Sequence, residues 1–293
     1  MRSLLLLLLM TSTALATDPI VQELQDASVT IRTESPGLWG KGSQGSGVLF
    51  TRKVDGENVT FVWTAAHVVD NLRKTRTVIV NGNPKVVVEF NDACIVQEFR
   101  ENGRRIGEQK MECRIVRYSN SEQGEDLALL EVRKRDFTKS TVKFYDGDIP
   151  SIGTELFHVG SLLGQVGSNS LTTGVVSQIG RVLDGLGANG VIFDQTTVTA
   201  FPGSSGGGVF LKSNGQYVGM LVRGAGEQFN LVVPIRRLRD WAKSAQVEWA
   251  VDSSISVPDD WRKAPIEDSG VEFESEGSSV ESKNFPYLLR IDD

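Results

Sequence analysis

The chain contains two histidines. One of them, His67, follows the apolar run NVTFVWTAA. An aspartate, Asp126, opens a second apolar run, DLALL, and the stretch TAFPGSSGGGVF (Thr199–Phe210) sets Ser204 and Ser205 among glycines. Neutral imidazole accepts a proton near pH 7 and can return it later in a reaction. A buried carboxylate can fix the imidazole tautomer and stabilise the imidazolium as it forms. A serine hydroxyl is a poor nucleophile on its own and needs such a base beside it. Brought together, these residues would attack an acyl carbon through a serine. Taken alone, the glycine-rich stretch could also be a linker. A phosphate loop is excluded, because Val209 and Phe210 stand where Lys-Ser/Thr would follow the last glycine. A dinucleotide loop should open a helix, whereas GVFLK reads as a strand. Glu122 and Glu125 are rivals to Asp126, and His158, inside a strand-like run, reads as a packing residue. No HExxH or Cys-x-x-Cys pair is present, so no metal site or cofactor is expected.

The elements that must position these groups are mostly strands. From about Ser28 to Ile235 the chain alternates short runs rich in Val, Ile, Phe and Thr with Gly, Asn and Asp punctuation. GSGVLFTRK and NVTFVWTA flank a Val54-Asp55-Gly56-Glu57 turn. KVVVEF, DLALLEV, TELFHVG, LTTGVVSQIG, VIFDQTTV, GGGVFLK, QYVGMLVRG and FNLVVPI follow in order. This pattern predicts an all-β barrel or sandwich. One helix is predicted from Pro234 to about Val247, with Ile235, Leu238, Trp241, Ala242 and Ala245 on one face. A shorter one is possible at Pro19–Leu24.

On that all-β background, the order His67, Asp126, Ser204-Ser205 within TAAHV, DLALL and GSSGG resembles the chymotrypsin-like serine proteases. LFHVGSLLGQVGSNSLTTGVVSQIGR and the early Gly45-Ser46-Gly47-Val48 are similar to the HtrA-type branch. The resemblance spans roughly Ser28 to Trp241 and implies two six-stranded Greek-key β-barrels with a C-terminal helix. By the family's GxSGG pattern it implies Ser205 as nucleophile, with Ser204 where the family often has Asn or Asp. It further implies His67 as base, Asp126 as its partner, and the N–H groups of Gly203 and Ser205 as the oxyanion hole. Thr199, six residues before the nucleophile, would lie near the floor of the specificity pocket. Val222, Arg223 and Gly224 would pair with bound substrate, with Asn230 and Leu231 as the facing wall. Thr199 is not a carboxylate, so small or medium apolar side chains are expected before the cut, with an acidic preference through Arg223 as runner-up. The implied activity is a serine endopeptidase acting on protein or peptide substrates. A chaperone-like module that holds peptides in the same groove with little turnover is the alternative. Two family features are not expected: a PDZ domain after the barrels, and an Ile-Val-Gly-Gly activation site.

Composition bounds the rest. At 293 residues, 40% hydrophobic and 23% charged, the chain is an ordinary globular one. Its net charge of -6 comes from the end: from Ala250 onward eleven Asp/Glu face four Lys/Arg. No basic patch suggests nucleic-acid binding, and Arg73-Lys74-Thr75-Arg76 reads as a solvated loop. MRSLLLLLLMTSTALA has the form of a secretory signal peptide cut after about Ala16, the rival being an uncleaved anchor; no later segment could span a membrane. The expected division is therefore 1–16 signal, 17–249 protease domain and 250–293 acidic disordered tail. Nothing in the sequence fixes the oligomeric state. Export favours a Cys94–Cys113 disulfide across the Asn102-Gly103 hairpin. A strict two-residue turn would oppose Cys94 to Met111, so the bridge needs a longer loop or a bulge; two separate thiols are the other reading.

Overall fold

The computed structural model describes residues 18–33, 42–81, 83–183, 186–187, 189–224, 228–267 and 289–290. The expected signal peptide lies outside them, as does 268–288. The elements run in the order α1 (Pro19–Asp26), β1 (Ser28–Arg32), β2 (Gln44–Val54), β3 (Glu57–Thr64), α2 (Ala66–Val69), β4 (Arg73–Val80), β5 (Asn83–Phe90), β6 (Ala93–Glu101), β7 (Arg104–Ser119) and β8 (Leu127–Val132). They continue with β9 (Glu155–Leu162), β10 (Gly167–Val182), β11 (Ile192–Thr196), β12 (Gly208–Leu211), β13 (Tyr217–Gly224), β14 (Asn230–Pro234), α3 (Ile235–Ser244) and β15 (Leu289–Arg290).

The strands close two antiparallel barrels of six, as the resemblance implies. The first has the order β1-β2-β3-β8-β7-β6; the second runs β12-β9-β10-β11-β14-β13 and closes through β12–β13, with β15 added to β13. Local chemistry sets much of this. Asp55 and Gly56 both have positive φ, the mirror-image turn whose twist suits the β2–β3 hairpin. Strands β3 and β8 are buried along nearly their whole length: Leu49, Val62 and Leu130 share the inner face of the first barrel, while Phe61 and Trp63 lie on its outer face, covered by Trp241, Trp249 and Trp261. Pro234 caps α3, where its missing N–H costs nothing, and α3 buries Ile235, Leu238 and Trp241. Among the described residues no helix is long and apolar enough to cross a membrane, and no PDZ-like unit follows the barrels.

Three expectations are corrected. First, Arg73–Arg76 is strand rather than loop: it belongs to the β4–β5 hairpin, a separate two-stranded ladder. Three of its four side chains face water, which is why it reads as polar loop.

Second, no bond joins Cys94 and Cys113; both are thiols. The two-residue turn at Asn102-Gly103 forms, and an irregularity between Phe99 and Arg100 shifts the ladder by one residue. Cys94 therefore opposes Glu112, and Cys113 opposes Ala93. Neighbouring residues of a strand point to opposite faces, so one sulfur enters the core while the other does not. Burial also pushes the Cys113 thiol pKa well above its usual value. Alkylation of native protein is expected to mark the half-buried Cys94 first, and denaturation without reductant to expose both thiols. A pair that resists alkylation until reduced would overturn this reading.

Third, the chain does not leave the domain at Ala250. Trp249 and Trp261 are buried against Phe61, with ring centroids 4.8 and 5.3 Å from it. The Arg117 guanidinium donates to the Trp261 carbonyl at 2.8 Å, Tyr118 N–H donates to Ile266 O at 2.8 Å, and Arg73 pairs with Glu267. A segment poor in apolar residues is thus held by one tryptophan and by polar groups of β7 and β4.

Candidate active site

Strand register brings His67 and Asp126 together. β3 and β8 pair antiparallel with Thr64 opposite Ala128, so the ladder carried outward sets Asp126 beside Ala66 and His67. The Asp126 carboxylate accepts from the His67 backbone N–H at 3.1 Å and lies 2.9 and 3.0 Å from Nδ1. Both residues are buried, at 6% and 2% exposure. Asp126 has φ 56°, a left-handed conformation that Asp tolerates better than most residues. A dense local network imposes it. Asn120 Oδ1 accepts from Glu122 and Gln123 N–H, Asn120 O accepts from Gly124 and Asp126 N–H, and Ser119 Oγ accepts from Glu125 N–H. Burial by itself would raise the Asp126 pKa. The His67 charge and hydrogen bond, then the Arg223 charge, outweigh it and hold the carboxyl well below its usual range. The group at Nδ1 is therefore an ionised acceptor, which fixes the proton on Nδ1 and turns Nε2 into the basic nitrogen.

The second barrel supplies Ser205, in the turn before β12. Ser46 on β2 donates its N–H to Ser205 O at 2.7 Å and its hydroxyl to Gly203 O at 2.7 Å. Gly45 is squeezed between the two halves: a Cβ there would meet Val68 at 2.5 Å and Ser205 O at 3.1 Å. His67 is the neighbour of that Val68, so the imidazole turn and the serine turn pack on one glycine. Gly203 (φ 92°) and Gly206 (φ 84°) adopt backbone that side chains rarely allow. A Cβ on Gly203 would lie 2.4 Å from Ser161 O, and one on Gly206 would lie 2.1 Å from Ser46 O. The glycines flanking Ser204-Ser205 are thus required by both φ and space. The Ser205 hydroxyl lies 3.5 Å from Val222 O on β13. Ser204 is as fully buried as Ser205 but differs in its partner: its hydroxyl accepts from Phe201 N–H at 3.2 Å within the same turn. That is turn chemistry, and it sets the two serines apart.

An open cleft of about 620 Å³ runs past His67, lined by Gln44, Asn71, Leu163, Pro202 and Gly203. A second, smaller cavity of about 60 Å³, at Tyr145, Val209 and Arg239, shares no residue with it. β12 pairs with Tyr217–Met220 of β13 and then diverges, while β14 holds the other edge, with Arg223 opposite Leu231 and Gly224 opposite Asn230. The edge at Arg223–Gly224 left by β12 takes β15 as an antiparallel strand. Thr199 is exposed, and its carbonyl accepts from Thr172 Oγ1 at 3.0 Å. Asn230 is turned inward, donating to Val198 O at 2.7 Å, so it braces the pocket segment rather than facing the cleft. The Arg223 side chain is also turned inward, 4% exposed; its guanidinium is not offered to the cleft, which removes the basis for an acidic preference. Glu125, the rival carboxylate, is clamped by Arg237 of α3 through its side chain and its carbonyl. The Arg223 and Arg237 contacts carry no sequence signal, because both arginines lie on elements distant in the chain.

His158 is fully buried on β9, opposite Val209 of β12, with Nδ1 3.0 Å from Gly208 O. Nε2 has no hydrogen-bond partner among the described residues. Burial pushes its pKa down to about 4, against the small upward pull of the Gly208 carbonyl. The unfolded chain therefore takes up a proton near pH 6.5 that the native state refuses until about pH 4. Stability from this site is intact above pH 6.5 and lost as the pH falls towards 4. Denaturant titrations should show a His158-dependent loss of roughly 2 kcal/mol between pH 7 and 5. The loss should be absent in His158→Gln; an equal loss in that variant would sink the assignment.

The profile of the trypsin-like peptidase domain matches residues 45–220, a stretch that contains His67, Asp126 and Ser205. No curated protein sequence matches the chain. Among solved structures, an HtrA-type protease, AlgW with a tripeptide, aligns with TM-score 0.55 at 18% identity, covering 79% of this chain and 64% of that one. The serine endoprotease from Yersinia pestis aligns with TM-score 0.52 at 20% identity, over 79% of this chain and 66% of that one. Deg5 aligns with TM-score 0.51 at 22% identity, over 75% and 89%. The chain thus spans just under two thirds of the length of the first two, and at these identities the likeness is one of fold.

Proposed function

We propose, from the premise that this chain belongs to the trypsin-like peptidase domain family, that it is an exported serine endopeptidase working through Ser205, His67 and Asp126. The observation that carries the reading is the buried Asp126–His67 pair, packed through Val68 and Gly45 against the turn bearing Ser205. In this mechanism Ser205 Oγ attacks the scissile carbonyl while His67 Nε2 takes its proton. The negative charge that develops on the carbonyl oxygen is met by the N–H groups of Gly203 and Ser205. His67 then passes the proton to the leaving amine, which departs and leaves an acyl-enzyme on Ser205. Water, activated by the same imidazole, releases the acid product. Asp126 stays ionised throughout and keeps the ring oriented.

Substrate is proposed to lie extended along Val222–Gly224. The same edge accepts β15 as an antiparallel strand, which supports its capacity to take a peptide by strand addition. Thr199 offers no carboxylate and Arg223 is buried, so apolar side chains before the cut are favoured. Export rests on the leader-like residues 1–16. The test is to treat the folded protein with a fluorophosphonate and map the adduct by mass spectrometry, then to incubate it with an unfolded protein and sequence the fragments. One adduct, on Ser205, and cuts after apolar residues are the expected results. A protein that binds the unfolded chain but takes no label would overturn the reading.

A further inference from the structure

We infer that Arg223 is a positioning residue for this site: its buried guanidinium shares the Asp126 carboxylate with His67 and keeps the imidazole in its basic form at lower pH. The inference rests on the proposed function for its catalytic meaning, but not for its measurement.

The geometry is asymmetric. Asp126 Oδ1 accepts from the His67 backbone N–H and lies 3.0 Å from Nδ1, while Oδ2 lies 2.9 Å from Nδ1 and 3.9 Å from Arg223 Nη2. The same Nη2 donates to Ser121 O at 3.4 Å, in the loop that ends at Asp126. Arg223 comes from β13 of the second barrel, and Asp126 precedes β8 of the first. One side chain therefore ties the carboxylate, its loop and the strand behind Ser205 into a single unit. Both partners are at most 5% exposed as side chains, so water screens the contact little.

A guanidinium does not lose its proton in a protein, so this cation is permanent. A lone carboxylate beside an imidazole favours the imidazolium; a second cation on that carboxylate opposes it. The ring is then kept neutral, and so able to act as base, at lower pH than the Asp126 pair alone would allow. Two neighbouring ionisable pairs have partners of their own. Tyr118 donates to Asp70, and Glu125 is paired with Arg237. Among the described residues Arg223 is the guanidinium placed to act on Oδ2.

The test is Arg223→Gln, which removes the charge and keeps a polar head of related shape. His67 ring-nitrogen NMR should show the imidazole binding protons about tenfold more tightly than in the unaltered protein. The acid limb of kcat/KM for a short peptide should move up by about one pH unit in step. Arg223→Lys, which keeps the charge, should hold the limb near its original place even if kcat falls. An unmoved titration in a folded Arg223→Gln protein, or the same displacement in Arg223→Lys, would overturn the inference. Should Arg223→Gln fail to fold, Arg223→Lys decides alone, since a displaced limb there contradicts a charge effect. A protein that hydrolyses nothing would refute the proposed function and still leave the NMR titration to judge the Arg223 coupling.

Discussion

Ser205→Ala is expected to lower peptide turnover by about 10⁴-fold or more and to abolish fluorophosphonate labelling, while Ser204→Ala keeps both within about tenfold. The contrast comes from what each hydroxyl does. Ser204 Oγ accepts one N–H bond inside its own turn, and its loss costs about 1 kcal/mol and no chemistry. Among the described residues Ser205 Oγ makes only the long approach to Val222 O at 3.5 Å, a weak tie beside the strand proposed to hold substrate. His67→Ala should be nearly as damaging as Ser205→Ala, because residues that act as one unit do not lose activity additively. Circular dichroism and melting of each variant separate loss of chemistry from loss of fold. Equal loss in both serine variants, with folding intact, would refute the assignment of Ser205.

The sequence made legible those features that depend on local chemistry. Asp55-Gly56 and Asn102-Gly103 specify turns, the alternating and continuous apolar runs specify strands, and Pro234 specifies the start of α3. The candidate site was legible because its residues sit at element boundaries with marked composition: His67 after β3, Asp126 before β8 and Ser205 among glycines. The features that stayed hidden depend on contacts between distant segments. The irregularity at Phe99–Arg100 moves the β6–β7 ladder by one residue, and that single step decides whether Cys94 and Cys113 share a face. By the family resemblance Arg223 reads as part of the wall that pairs with substrate. Its side chain turns inward because a buried carboxylate and the Ser121 carbonyl wait there. Arg73–Arg76 of β4 reads as loop because three of its four side chains are solvated, although its partner KVVVEF reads as strand.

Ending the chain at Ala250 is expected to destabilise it by about 3–5 kcal/mol, the usual cost of deleting a buried tryptophan, and to lower Tm by roughly 10 °C. Composition alone argues the reverse, since 250–293 is acidic and poor in apolar residues. Packing decides the matter. Trp261 closes an aromatic cluster with Phe61 and Trp249, and Arg262 lies over the outer face of its ring at 4.4 Å. Removing it also strips the Arg117 guanidinium, 3% exposed, of the carbonyl it holds at 2.8 Å, leaving a buried cation short of an acceptor. A chain ended after Glu267 keeps all of these contacts and should melt like the full protein. The two truncations therefore separate the packed segment 250–267 from residues 268–293. The cut after Glu267 still removes Leu289–Arg290 from the Arg223–Gly224 edge, where the proposed substrate would lie. A strand tethered to its own site competes at an effective concentration of about a millimolar. The chain ended after Glu267 should accordingly show a KM for short peptides several-fold lower than the full chain, with kcat unchanged. A melting temperature that falls equally in both truncations would place the domain boundary beyond Glu267, and an unchanged KM would show that the β13 edge is open to substrate in the full chain.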